Sequence, residues 1–216
     1  MSKSREPGNR AGLRADLVLE AAREIVTRKG SKPLTMRRLA EHLGVAPNTL
    51  YSHYPNKAAL MDAVLDSLLG DIDIPDVESM DWDDGLVEIM SASRRMLLEH
   101  TDLLPLLFSK PMTGPNATRL GEMSLGLLAR GGVTGERAVL ALRSLLTHTF
   151  GWVTLDAPRQ DDPDIESRQA SSYQAFSSHQ DSPMVAELAE PMSRRPADDD
   201  FGTSLRWLIR GIVANH

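Results

Sequence analysis

Between Leu13 and Arg28 the apolar residues Leu13, Leu17, Ala21 and Ile25 recur every four positions, with Arg14, Glu20, Arg23 and Glu24 between them. That period predicts a helix with one buried face, inward at those four positions. Arg28-Lys29-Gly30 supplies the basic last turn and the glycine that commonly end a helix. A second, shorter pattern follows. Thr35 can cap a helix over Met36 to Leu43, with Met36, Leu39, Ala40 and Leu43 apolar, and Gly44 stops it. Pro47 suits the first turn of a third helix, which Pro55 ends. Asn56 can cap a fourth from Lys57 to Leu69, with Leu60, Val64 and Leu68 inward. Downstream, helical periodicity predicts elements near 84–100, 102–110, 116–130, 135–155, 164–178, 183–190 and 201–215. Glycine and proline punctuate them at Pro111, Gly114-Pro115, Gly131-Gly132, Pro158, Pro163 and Arg195-Pro196.

Composition sharpens this to an all-α fold. Aromatics are only 5 % of the 216 residues, and Leu, Ala, Met, Glu and Arg outnumber the β-branched residues that strands favour. The chain has no cysteine, which removes disulfides and thiolate metal sites and suits a reducing cytoplasm. No uninterrupted apolar run approaches the roughly 20 residues that span a bilayer, so no membrane partner is expected. Charge divides the chain. Residues 1–60 carry 11 Lys and Arg against 5 Asp and Glu, while residues 61–216 carry 13 against 25. A basic end on an acidic body is the footprint of a polyanion reader joined to a part that does not bind polyanions. The acidic stretch 71–84 reads as the joint. It separates the basic end, residues 1–70, from a larger helical bundle, residues 71–216.

The chemistry of the basic end lies in LGVAPNTLYSHYPNK, residues 43–57. Two short helices joined by a glycine are the sequence form of a helix-turn-helix. Ala40 is small enough for the next helix to cross close by. Gly44 can take positive φ at the turn, and Leu50 is the apolar peg of the second helix. A plain αα-hairpin would satisfy the same spacing. It would not explain why Asn, Thr, Tyr, Ser, His and Tyr surround Leu50. In a major groove those polar groups meet base edges and phosphates. Lys57 opens the next helix, where ammonium and helix N-terminus can hold one phosphate. Helical phase turns Arg37 to the same side.

With those residues in view, TMRRLAEHLGVAPNTLYSHYPNKAALMDAVL, residues 35–65, resembles the DNA-binding domain of the TetR/AcrR family of transcriptional repressors. The likeness extends over about residues 11–68. It implies that Arg37, Thr49, Tyr51, His53 and Lys57 sit at an operator in double-stranded DNA. Pro47 and Asn48 would occupy the variable start of the recognition helix. Residues 147–156 and 199–213 resemble two regulatory-domain helices of the TetR-like subgroup. In that family such helices pair with their copies in a homodimer. On the residues alone, Leu205, Leu208, Ile209 and Ile212 form a stripe that its own core or a partner must cover.

A small-molecule effector of the bundle would be apolar or amphipathic. Candidate wall residues are Met96, His100, Phe108, Met123, His148 and Trp152. His148 and Trp152 share a face at i, i+4, and Met90 and Met112 could add adaptable surface. Each reads equally as core filler. No His or carboxylate cluster has metal-ligand spacing, and neither a phosphate-cradling glycine loop nor a nucleophile elbow is present. No cofactor is therefore expected, and an enzyme is the weakest of the function classes. The acidic pairs Asp161-Asp162 and Asp198 to Asp200 read as solvated loop charges. The function expected is a ligand-responsive regulator, most simply a repressor released from a palindromic operator. A ligand-independent or architectural DNA binder is the alternative.

Overall fold

The structure is a computed structural model that describes residues 14–214, apart from 110, 158–162, 180 and 195. Leu13, Asp161, Asp162, Arg195 and the end of the last helix at Asn215 lie outside the described residues. Among the described residues all regular structure is helical. In order the helices are α1 Ala15–Lys29, α2 Met36–Leu43, α3 Pro47–Tyr51, α4 Lys57–Gly70, α5 Trp82–Glu99, a 3-10 turn Thr101–Leu103, and α6 Leu104–Ser109. They continue with α7 Pro115–Arg130, α8 Gly135–Asp156, α9 Ile165–Ser177, α10 Pro183–Glu187, α11 Ala189–Ser193 and α12 Asp198–Ala214. The chain divides into two compact units, one up to Ile72 with Asp102–Arg119, the other Asp73–Thr101 with the remainder from Leu120.

Local signals place the first unit's helices. Thr35 accepts a hydrogen bond from Arg38 N–H at 3.1 Å, and Asn56 accepts from Ala59 N–H at 2.8 Å, each capping the helix that follows. Gly44 adopts φ 66°, the left-handed conformation that turns the chain from α2 towards α3. Two expectations fail here. α1 buries Val18, Ala21, Ala22 and Val26, while Leu17 is exposed and Ile25 half-buried. Two apolar rows lie side by side on this helix, and packing against α2 and α4 buried Val18, Ala22 and Val26 of the second row while keeping only Ala21 of the expected one. The third helix ends at Tyr51, not Pro55, because Leu50 C=O accepts from both His53 and Tyr54 N–H and closes a turn there.

Residues 102–119 pack with this unit, although a division at the acidic stretch assigns them to the bundle. Two carboxylates hold them. Asp102 accepts from Ser31 N–H in the turn after α1. Asp66 of α4, 7 % exposed, accepts from Ala117 N–H at 2.9 Å, Asn116 N–H at 3.3 Å and Asn116 Nδ2 at 3.2 Å. It thus caps α7 from another helix. A Cβ on Gly114 would overlap Asp66, so only glycine admits that approach.

The second unit packs α5, the later turns of α7, α8 and α12 around Leu86, Ile89, Met90, Leu127, Leu128, Leu145, Phe201, Leu205 and Ile209. Leu205 and Ile209 of the last-helix stripe are buried in their own chain, with Leu208 and Ile212 packed against the same core. α12 begins at Asp198, so Asp198 to Asp200 form its first turn and are not loop charges. Acidic residues are favourable at that end of a helix. Helix 183–190 is broken in two at Leu188. Pro191 lies in α11, donates no hydrogen bond, and would crowd the Glu187 carbonyl of a continuous helix.

One helix does not fit the expectation about membranes. α8 is long and apolar enough to cross a bilayer by length and composition, and 28 % of its apolar stretch is buried within the chain. Charged residues such as Arg143 interrupt the run, but they are too few to take the helix below that mark. Val139, Leu140 and Leu155 of this helix are exposed, as is Trp207 of α12.

Candidate DNA interface and effector site

Helix α3 is held from beneath. Leu50 is fully buried and Ala40 of α2 nearly so, which fixes α3 across α2. Val45 N–H donates to Ala40 C=O at 3.0 Å and locks the turn between them. Burying Leu50 leaves the polar neighbours outward. Pro47, Asn48 and Tyr51 are exposed, Tyr51 at 48 %, with Thr49 and His53 half-buried. Ser52 Oγ donates to Thr49 C=O at 2.7 Å and stiffens the end of the helix. Arg37 is exposed and paired with Glu41 one turn on, Nε to Oε1 at 2.9 Å. Such a surface pair is weak enough to yield an arginine to a phosphate. Lys57 is exposed at the first turn of α4, and its Nζ donates to Ser31 C=O at 3.3 Å. All seven sequence-selected residues therefore belong to one unit, in α3 itself or in the segments flanking it.

Residues 18–64 match the bacterial regulatory proteins, tetR family, and residues 74–216 match the domain described as Tetracyclin repressor-like, C-terminal domain. The chain belongs to the TetR family. It is 27 % identical over 207 residues to an HTH-type transcriptional regulator of Saccharopolyspora erythraea, covering 94 % of this chain and 85 % of that one. It is 32 % identical over 165 residues to the class G tetracycline repressor protein of Vibrio anguillarum, covering 72 % and 78 %. The solved structure of the TetR family protein ActR from Streptomyces coelicolor in complex with actinorhodin superposes with a TM-score of 0.86. The two are 28 % identical, and the match covers 95 % of this chain and 97 % of that one. As a TetR-family protein the chain is a DNA-binding transcriptional regulator.

The proposed effector residues are not gathered in one place. His148 and Trp152 of α8 do meet, ring centroids 6.1 Å apart, and Phe201 of α12 joins them, stacked on His148 at 5.7 Å and edge-on to Trp152 at 5.9 Å. His148 Nε2 lies 3.1 Å from Ser204 Oγ, and burial pushes its pKa below the ordinary 6.5. Trp152 and Met123 pack against the core of the second unit, and His100 is buried there. Met96 is half-buried on α5. Phe108 lies on α6 in the first unit and is 62 % exposed, and Met112 is in that unit too. Met90 is core.

A groove of about 820 Å³ does open in the second unit, lined from α5 and α12 by Val87, Ser91, Arg94, Arg95, Leu98, Phe201 and Arg206 among others. None of the six sequence candidates lines it. Sequence reasoning also missed the ion pair beside it. Arg94 Nη2 donates to Asp156 Oδ2 at 2.6 Å, both side chains are buried, and the guanidinium stands 5.1 Å from the Phe201 ring. The partners are 62 residues apart, and neither occurs in a motif that would have marked it. Among the described residues no group of three or more His, Asp or Glu stands close enough to hold a metal ion.

Proposed function

We propose that the protein is a homodimeric repressor that leaves a palindromic operator when a small molecule occupies its second unit. The observation that carries the DNA half is the orientation of α3. Its one large apolar residue is buried, so Asn48, Thr49 and Tyr51 face outward with Arg37 and Lys57 at their flanks. Thr49 and Asn48 read base edges, and Tyr51, His53, Lys57 and Arg37 hold phosphates. The exposed apolar residues Val139, Leu140 and Leu155 of α8 and Trp207 of α12 support dimerisation through those two helices. Left bare, such surface would be costly in water. Two heads then meet half-sites about one helical turn apart.

The effector half is supported by the likeness to ActR in its complex with actinorhodin. An amphipathic molecule would enter the second unit and favour a dimer whose heads no longer match the half-sites, so that ligand and DNA weaken each other reciprocally. The protein would act in the cytoplasm, as a regulator and not as an enzyme. Selection of bound fragments from the source genome, followed by footprinting, tests the reading. The expected footprint is palindromic, and Lys57→Ala should lower the salt slope of binding by about one. A footprint without dyad symmetry, or an unchanged slope, refutes it.

A further inference from the structure

One hydrogen-bonded line in the first unit leads to Lys57 from outside the helix-turn-helix. Asp102 stands in the 3-10 turn after α5, at the residue where the chain re-enters this unit. Its Oδ2 accepts from Ser31 N–H, and Ser31 in turn presents its carbonyl oxygen to Lys57 Nζ at 3.3 Å. The approach is close. Gly30, at φ +74°, would place a Cβ 3.2 Å from Asp102 Oδ2. Ser31 lies in the turn between α1 and α2, where its carbonyl also accepts from Leu34 N–H at 3.2 Å, and Asp102 ties its N–H from outside that turn.

We propose that Asp102 is a positioning residue for DNA binding: it fixes Ser31, whose carbonyl holds the Lys57 ammonium where it meets a phosphate. This rests on the reading of Lys57 as a phosphate contact. An ammonium has three donors, so one can stay on Ser31 while two serve the DNA. A long lysine side chain gives up much rotamer freedom when it is fixed on binding. A lysine already held in the free protein gives up less, and binding gains accordingly.

The competing role has the opposite sign. As a mere negative charge near a polyanion site, Asp102 would oppose DNA, and removing it would tighten binding. The test uses the full chain and the operator duplex recovered by genomic selection. Affinities are measured by fluorescence anisotropy across a salt series, with melting curves confirming that each variant is folded. Asp102→Ala should weaken binding about two- to tenfold, the range for freeing one flexible side chain. In a Lys57→Ala background it should cause no further loss. Asp102→Asn keeps an acceptor oxygen and should stay within about twofold of the parent. Should the alanine variant fail to fold, Asp102→Glu keeps the charge but displaces it, and should weaken binding all the same. Tighter binding by the alanine variant, or a change of more than about twofold in either direction by the asparagine variant, overturns the proposal. So does unchanged binding by a folded Asp102→Ala, or an equal loss with and without Lys57. If Lys57→Ala itself binds normally, the reading of Lys57 falls first. If it binds weakly while Asp102→Ala does not, only the positioning role falls.

Discussion

Replacing Asp66 by alanine should loosen α7 from α4 and lower stability by about 2–3 kcal/mol. The carboxylate does three things at once: it caps α7 through two backbone N–H groups, it binds the Asn116 side chain, and it places a negative charge at a helix N-terminus. Loss of an N-cap costs about 1 kcal/mol. A charge near the helix dipole in a partly buried setting adds up to about 2 kcal/mol. Leaving the two amides without a partner would add more, about 1–3 kcal/mol each if water were kept out. Water is not fully kept out, because an open groove of about 470 Å³ lies beside Asp66, lined by Asp62, Pro111, Thr113 and Asn116 among others. Hydration therefore recovers much of that last cost, and the net figure sits near the sum of the first two. At roughly 2–4 °C per kcal/mol for a chain of this size, the melting temperature should fall by about 4–12 °C. Asp66→Asn keeps an acceptor but loses the charge and should cost about 1 kcal/mol. Urea unfolding gives the free energies, and hydrogen exchange reads the Asn116 and Ala117 amides directly. A loss below about 0.5 kcal/mol, the range of ordinary surface changes, would refute the argument. So would unchanged exchange at those two amides.

Three further outcomes are expected. Leu50→Ala empties a fully buried site under the recognition helix and should cost about 2–5 kcal/mol by chemical denaturation, with operator binding lost on heating before it is lost in the parent. Arg94→Ala strands the Asp156 carboxylate in the interior and should cost about 3–5 kcal/mol, whereas Arg94→Met with Asp156→Leu should lie much closer to the parent; equal costs would remove the pair from consideration. His148 is held below its ordinary pKa by burial, so the unfolded chain takes up its proton first; stability is complete above about pH 6.5 and declines as pH falls from there towards the lowered value. His148→Phe should flatten that limb of a melting-temperature profile measured against pH.

The sequence by itself determined the reader. Thr35, Gly44, Pro47 and Asn56 act on backbone groups within three or four residues of themselves, so their effects were legible without any fold, and the structure has each of them at the predicted turn or cap. In the second unit Gly131-Gly132 marked the end of α7 for the same reason, whereas the break at Leu188 and the start of α12 at Asp198 departed from the expected 183–190 and 201–215. Tertiary structure decided whatever depends on a choice of neighbour. α1 carries two apolar rows, and only packing selects Val18, Ala22 and Val26 over Leu17 and Ile25. Residues 102–119 join the first unit because Asp102 and Asp66 find amide partners 71 and about 50 positions away, and nothing in the local pattern distinguishes those carboxylates from solvated ones. The effector candidates scattered for a related reason. Met, His and aromatic residues suit a core and a cavity equally, so their composition carries no direction. A groove instead forms between α5 and α12, lined by arginines and Phe201. Local backbone chemistry is written in short range, while the pairing of a buried charge or the opening of a groove exists only once distant segments have met.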